Sequence, residues 1–412
     1  MSKNIYYKKR GQIFYTSNEN EDEDTKFFVN SLNLLDTLDN QENENKDALK
    51  EKFLYEIANS VRDFIGLNDN KFDNIIVLMG AGASILNNDR TNEGGVSVDS
   101  LFDSIKNKLN DNYESNKVYN YDDLINLMSI DKNKIDGLEH FISLLDDYEK
   151  FCPQEEISKF HNSKLEIFKE IIDKTRYKYS EKFNHESLIN LINNNLVKNN
   201  NKLNIITTNY DTLIEEAANN LNYTIFDGFS FSNNPTFDDD LFNWNLFKNT
   251  YSINSNETII KKNVINLLKI HGSLSWQQSK DNVIRINKPK TESLTLDNLP
   301  LMIFPSSNKY KQSYQNPYFS LFSKFQELMK IPNTLLITVG FSFGDTHITE
   351  MINNAIKNNP GFSLLITKHS IKENDNLNEI MELMKKGYDV SILRSDLNDN
   401  LCYFLGGENN AN

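Results

Sequence analysis

Seven apolar runs that do not alternate with polar residues set the first constraint on this chain. They are NIIVLM (74–79), LNIITT (203–208), VINLLKI (264–270), PLMIF (300–304), TLLITVG (334–340), FSLLIT (362–367) and DVSIL (389–393). A strand with one wet face alternates apolar and polar residues. Continuous runs suit strands covered on both faces, as in a parallel sheet. Helical patterns lie between several of them. In 211–221, Leu213, Ile214, Ala217, Ala218 and Leu221 share one face, and in 345–359 so do Ile348, Met351, Ile352, Ala355 and Ile356. A third pattern, 376–387, closes on Gly387. Strand and helix in alternation predict an α/β fold built on a doubly wound parallel sheet.

The rest of the chain is arranged around that core. Leu49, Phe53, Ile57, Val61 and Ile65 recur at steps of four and predict a helix over 47–66 that ends at Gly66. NIYYKKRGQIFYTS (4–17) reads as a short hairpin turning at Lys9-Arg10-Gly11, either an assembly element outside the main domain or, more commonly for such a hairpin, a cap on the fold. The polar run NENEDED (18–24) follows it. We expect an N-terminal extension over 1–68 with a possible assembly role and a main domain over 69–405. A helical insertion at about 100–200, a smaller insertion at about 231–263 and a tail at 406–412 complete the reading.

Charge and cysteine usage exclude several classes. Lys and Arg number 44 against 58 Asp and Glu, so the 412-residue chain carries a formal charge of −14. An acidic chain gains nothing from counterion release on DNA, so no direct nucleic-acid binding is expected. Cys152 and Cys402 are the only cysteines, with no Cys-x-x-Cys, which excludes a zinc ribbon and a disulfide framework. No apolar run approaches the roughly 20 residues that span a bilayer, and no signal-peptide core follows Met1. A soluble, cytoplasmic protein without membrane contact is the expectation.

Four strand ends carry residues suited to chemistry. The first run leads into Gly80-Ala81-Gly82-Ala83-Ser84, where small residues allow a tight turn and bring backbone amides near an anion. Ile85 stands where a dinucleotide fingerprint needs its third glycine, and no P-loop occurs anywhere. The second run ends at Thr207-Thr208, followed by Asn209 and by Asp211, which would open a helix as its N-cap. The third ends at His271, one of only six histidines, with Gly272 and Ser273 after it. Alone, such a histidine is more often a satisfied core residue. The fourth ends at Gly340, with Ser342 after it and Asp345 as the expected N-cap of a helix. His347, in that helix's first turn, reads as structural. Ser273 and Ser275 stay open between turn and ligand contact, and Trp276 reads as packing.

In this order, Gly-Ala-Gly-Ala-Ser, Thr-Thr-Asn-Tyr-Asp, Ile-His-Gly-Ser and Val-Gly-Phe-Ser-Phe resemble the sirtuin family over roughly residues 70–370. The resemblance implies a Rossmann-like sheet that binds NAD. It departs from deacylating sirtuins in two places. The four zinc cysteines expected between the histidine and the Gly-x-Ser strand are missing from 272–339, and ILNNDRTNEGGVSV (85–98) replaces Gly-Ile-Pro-Asp-Phe-Arg. GLEHFISLL (137–145) is similar to a helical segment of the zinc-free bacterial branch. That branch implies an NAD-hydrolysing effector of anti-phage defence, with NAD as substrate and no metal. It also implies a homo-oligomer and a partner protein, a HerA-type ATPase rather than an Argonaute-type protein.

Carried over by residue, the resemblance gives catalytic roles to His271 as general base and to Asn209 and Asp211 at the nicotinamide ribose. Gly80, Ala81, Gly82 and Ser84 would hold the diphosphate and nearby ribose. Thr208 would join the binding residues, and Gly340 and Ser342 would line the adenosine pocket. Two alternatives remain: an NAD-dependent protein deacylase, and a non-catalytic subunit sensing NAD or ADP-ribose within an ATPase complex.

Overall fold

The computed structural model describes residues 3–17, 25–34, 46–67, 69, 71–86, 95–111, 117–198, 201–251, 256–280, 282–287, 290–304, 316–371 and 376–407. The run 18–24, the stretch 87–94 of the expected loop 85–98, and all but two residues of the tail 406–412 lie outside them. Fifteen strands are present among the described residues: β1 (Asn4–Lys9), β2 (Gln12–Thr16), β3 (Phe27–Val29), β4 (Leu32–Asn33), β5 (Asn74–Met79), β6 (Leu203–Thr207), β7 (Thr224–Phe226), β8 (Phe247–Tyr251), β9 (Asn256–Ile260), β10 (Val264–Lys269), β11 (Trp276–Ser279), β12 (Asn282–Arg285), β13 (Thr334–Val339), β14 (Phe362–Lys368) and β15 (Val390–Arg394). Eleven helices accompany them: α1 (Lys46–Phe64), α2 (Val98–Asp111), α3 (Tyr121–Leu127), α4 (Gly137–Glu149), α5 (Ile157–Lys174), α6 (His185–Asn195), α7 (Leu213–Asn220), α8 (Tyr318–Lys330), α9 (Thr346–Asn358), α10 (Asn378–Lys386) and α11 (Leu401–Phe404).

One sheet organises the molecule, in the order β4-β3-β2-β1-β15-β14-β13-β5-β6-β10-β7. The seven strands from β15 to β7 are all parallel. The chain enters this parallel part at β5, in its middle, builds β6, β7 and β10 on one side, then crosses to β13, β14 and β15 on the other. The boundary between β5 and β13 is therefore the topological switch point, where an α/β sheet opens a crevice beyond its strands' carboxyl ends.

The apolar runs are continuous because each feeds two cores. Along β5, Ile76 and Leu78 enter one core and Ile75, Val77 and Met79 the other. The first core is closed by α8, α9 and α10, through residues such as Phe325, Ile352 and Ile380. The second is closed by α1, α6, α7 and α11, through Phe53, Ile189, Ala217 and Phe404. At the amino ends of three neighbouring strands, Asn266 donates to Asn204 (2.9 Å), Asn204 to Asn74 (3.0 Å) and Asn74 to the Leu328 carbonyl (2.8 Å). This buried polar row fixes strand register at the end opposite the crevice.

Several sequence expectations are corrected. Of the two readings of the N-terminal hairpin, the structure takes the cap on the fold and not the element outside the main domain. β1 pairs antiparallel with β15, and β2, β3 and β4 extend the same sheet. Phe53 of α1 anchors this end, with its ring within 6 Å of Tyr6, Phe14 and Phe27. PLMIF (300–304) forms no strand; Met302 makes only an isolated bridge to Gly272. Met302 and Phe304 pack into the core of the helical insertion, and Leu301 and Ile303 into the first core beneath the sheet. Helix α6 packs on the sheet, so the separate helical layer is α2 to α5. That layer shares its core with Leu274, Leu294 and Met302, which follow β10 in sequence.

His185, at the start of α6, is 2% exposed and its Nδ1 has no partner. Burial pushes its pKa down from 6.5 to about 3. As pH falls below 6.5 the unfolded chain takes up a proton that the folded chain refuses. Stability present above pH 6.5 is then lost toward pH 3, at up to about 1.4 kcal/mol per pH unit. His185→Phe should flatten the slope of unfolding free energy against pH by one proton, measured by urea titration between pH 4 and 7.

Candidate active site

The four strand ends singled out in the sequence converge. β5, β6, β10 and β13 are close neighbours at the switch point, and their carboxyl ends bound one cavity of about 500 Å³. Its lining includes every site residue expected from the sequence: Gly80, Ala81, Gly82, Ser84, Thr208, Asn209, Asp211, His271, Gly340 and Ser342. The volume lies in the range of small-molecule sites.

The two glycine loops interlock. Gly340 has φ +61°, and a Cβ there would sit 2.2 Å from the Ala83 nitrogen. A Cβ on Gly80 would meet the Gly340 oxygen at 2.7 Å, and one on Gly82 the Gly340 Cα at 2.8 Å. Gly80 donates its amide to Val339 O and Gly82 donates to Gly340 O, both at 3.0 Å. The amides of both loop glycines are therefore spent on the neighbouring strand end. The glycines serve close backbone approach, whereas the sequence reading had them present amides to an anion. In place of the long helix of a dinucleotide fingerprint, one 3₁₀ turn runs over Ala81–Ser84. Asn398 holds that turn by donating to Ala83 O (3.1 Å) and Ile85 O (2.8 Å).

The Asn-Tyr-Asp segment is fastened to this turn. Asn209 Nδ2 donates to Gly80 O and to Ser84 Oγ, both at 3.0 Å. Gly80 O can only accept, which fixes which end of the amide faces it. Ser84 Oγ donates in turn to Asp211 Oδ2 at 2.8 Å. Asp211 Oδ1 accepts from Leu213 N at 3.0 Å. The helix therefore starts at Leu213 with Thr212 as N-cap, one residue later than the Asp211 cap of the sequence reading. Asp211 is 5% exposed, and each of its oxygens has a donor within the protein. Its charge also raises the Tyr177 hydroxyl, which burial already holds far above its ordinary range.

His271 is 6% exposed and lies in the turn two residues beyond β10. Its Nε2 lies 3.3 Å from Asp345 Oδ2, and its carbonyl accepts from Ile303 N at 2.8 Å. Gly272 has φ +84°, and a Cβ there would strike Leu301 O at 2.2 Å, so the chain after the histidine can hug 301–303 only with glycine. Asp345 has a second task. Its Oδ1 caps α9, accepting from Ile348 N at 3.1 Å. His347 stacks on Phe322 with ring centroids 5.0 Å apart. Trp276 packs fully buried against Phe229, and Ser273 and Ser275 bond each other at 3.0 Å, outside the cavity lining.

Sequence reasoning missed part of the wall. Glu139, in the first turn of α4, lines the cavity together with Leu101, Thr175, Tyr177 and Tyr210. The helical layer thus roofs the sheet's crevice. Tyr210 donates its hydroxyl to Ile303 O, tying the Asn-Tyr-Asp segment to the strip beside His271. The signal available was GLEHF itself, a carboxylate at the start of a helix. Asp345 was visible only as a cap. The cavity carries three carboxylates (Glu139, Asp211 and Asp345) and no lysine or arginine among its described lining residues. Among the described residues no cluster of His, Cys, Asp and Glu is placed to hold a metal ion, and no helix is long and apolar enough to cross a membrane.

Residues 203–390 match the model of the SIR2-like domain, from β6 to the first residue of β15. The matched region holds Asn209, Asp211, His271, Gly340, Ser342 and Asp345 but not the glycine loop at 80–84. This match supports a sirtuin-like relationship for the chain. No curated protein matches. Similar solved structures include one from work on the mechanism and regulation of Sir2 enzymes, at 13% identity and TM-score 0.40, covering 85% of this chain and 96% of that one. A second is a Sir2 mutant with a p53 peptide and NAD, at 12% identity and TM-score 0.38, covering 84% of this chain and 96% of that one. A third, from work on sirtuin substrate affinity, has 13% identity and TM-score 0.38, covering 87% and 99%.

Gly340→Ala tests the interlock. Positive φ at a residue with a side chain costs roughly 1–2 kcal/mol, and forcing a methyl into packed backbone adds about 1–3 kcal/mol. The variant should unfold at markedly lower urea concentration. An unchanged midpoint would show that the two loops are not packed together.

Proposed function

We propose that the protein is an NAD glycohydrolase that cleaves the bond between nicotinamide and ribose, releasing nicotinamide and ADP-ribose. The observation that carries this reading is the shared cavity, in which His271 beside Asp345 faces the Asn209–Asp211 segment among three carboxylates, with no lysine or arginine among the described lining residues.

The chemistry follows from charge. The C–N bond breaks with its electron pair going to the positively charged ring, so nicotinamide leaves neutral and needs no acid. Positive charge then grows on the ribose. A cavity with three carboxylates and an oriented Asn209 amide favours that transition state, and among its described lining residues no lysine or arginine opposes it. The oxygen of water bonds to the anomeric carbon and gives up a proton. His271 takes it as general base, directly or through a ribose hydroxyl. Asp345 steadies the resulting imidazolium. Asp211, with both oxygens engaged, acts by holding Ser84 and the start of α7 in place.

Beyond the chemistry, the resemblance supports a regulated NAD-depleting effector of bacterial anti-phage defence. It would act in the cytoplasm, as a homo-oligomer with a HerA-type ATPase as partner. The deacylase alternative meets a chain with no cysteine between 272 and 339. The lack of a zinc-ligand set there weighs against it.

His271→Ala and Asn209→Ala should each lower NAD consumption at least about 100-fold while keeping the wild-type melting transition. Chromatography of nicotinamide and ADP-ribose measures it, and near-wild-type turnover in a folded His271→Ala protein sinks the assignment. Turnover that appears only with an acylated peptide would instead favour the deacylase. Asp345→Asn keeps a good N-cap but removes the anion beside His271. It should lose at least about tenfold in kcat with little change in melting temperature.

A further inference from the structure

Lys269 stands inside an apolar strand, two residues before His271, and is 1% exposed. Taking an ammonium group out of water costs several kcal/mol, and a well-packed apolar side chain would commonly serve stability as well or better. Its contacts point to a task other than stability. Nζ donates to the carbonyl oxygen of Asp211 and to Glu215 Oε1 of α7, the latter at 2.9 Å. Lys269 pairs in register with Thr207, the last residue of β6, so its ammonium reaches across to the segment that β6 delivers.

We propose that Lys269 is a positioning residue: its buried ammonium clamps the Asn209–Asp211 segment to β10, the strand that carries His271, and so sets the spacing between the two halves of the site. This rests on the glycohydrolase reading above. From Lys269 the contacts run without a break. Asp211, held by its carbonyl, accepts from Ser84 Oγ through its carboxylate. Ser84 Oγ accepts from Asn209 Nδ2, which also donates to Gly80 O. One buried cation thereby links the ends of β10, β6 and β5. Glu215 supplies the countercharge. Its second oxygen, Oε2, is buried without a hydrogen-bond partner among the described residues, and Oε1 is held by the lysine.

Lys269→Met alone leaves Glu215 uncompensated and puts the fold at risk. The informative variant is Lys269→Met/Glu215→Gln, which removes both charges together, with Glu215→Gln as the control that keeps the lysine. Three measurements are made on the full chain: thermal melting, steady-state NAD kinetics, and hydrogen exchange of peptides covering 208–213. The double variant should melt within a few degrees of wild type and hold its KM within about threefold. It should lose at least thirtyfold in kcat and exchange 208–213 at least tenfold faster, while Glu215→Gln, whose amide oxygen still accepts from Nζ, loses melting temperature but keeps the exchange of 208–213 within about threefold of wild type. Wild-type kcat and wild-type exchange in the double variant overturn the proposal. So does a double variant that fails to fold, since the lysine is then a folding residue. If the wild-type protein consumes no NAD, the glycohydrolase reading falls while the exchange data still decide the clamp. Faster exchange confined to 208–213 supports it and unchanged exchange overturns it.

Discussion

The contact between Gly82 and Gly340 underlies the rest of the site. β5 and β13 are neighbours in the sheet but belong to opposite windings, so the loops leaving them would ordinarily diverge and open a cleft. Here the cleft is closed along its floor. Backbone meets backbone at distances that no Cβ tolerates, and the glycine amides bond across the boundary. The cavity is displaced sideways, toward the ends of β6 and β10 and under the helical roof. Any phosphate-bearing ligand must therefore find donors other than the amides of Gly80 and Gly82. The exposed Ala81 and Ser342 lie at the edges of this interlock.

The two ends of the parallel strands are built on different principles. At the amino ends, three asparagines bond one another and a backbone carbonyl, which makes register the product of polar pairing. At the carboxyl ends, polar side chains from four strands bond across loops: Asn209 to Gly80, Ser84 to Asp211, Lys269 to Asp211 and His271 to Asp345. Register fixed at one end gives the other a set of predetermined starting points. The α2–α5 layer then rests on residues just past β10, since Leu274 and Met302 belong to its core. Roof and sheet are joined at the segment that positions the histidine.

Much of this was legible in the sequence, for physical reasons. A strand buried on both faces must be apolar at every position, so β5, β6, β10, β13, β14 and β15 announced themselves within a residue or two. The same rule misread PLMIF. Met302 is apolar because the helical layer covers it, and Leu301 and Ile303 because they pack from outside onto the first core of the sheet; periodicity cannot tell such cover from a place in the sheet. The N-terminal hairpin was found, but its pairing with β15 is a contact across more than 370 residues that no local pattern encodes. In the site, residues at strand ends were readable because topology alone gathers them. Glu139, Tyr177 and Tyr210 were not, because they come from the roof or point from a loop whose path depends on it. Asp345 was read as a helix cap, and correctly so. Its second oxygen showed its use only once β10 and β13 were placed on either side of β5 and β6.

That double use of Asp345 bears on the proposed reaction. A carboxylate that caps a helix is held against rotation by the backbone amide it accepts from, so its second oxygen, beside His271 Nε2, cannot follow a moving partner. His271 is likewise fixed, by a glycine that only fits against 301–303 and by a carbonyl bonded to Ile303. Base and counterion are thus placed by separate elements before any substrate arrives, so little reorganisation remains for the proton-transfer step. The oxocarbenium side is set by another group of contacts, those linking Asn209 and Asp211 to the glycine turn. The two halves touch through Lys269 and through the Tyr210 hydroxyl on Ile303 O. Any regulatory shift of β10 against β6 would act on both linkages at once, changing the spacing between base and ribose without altering either half.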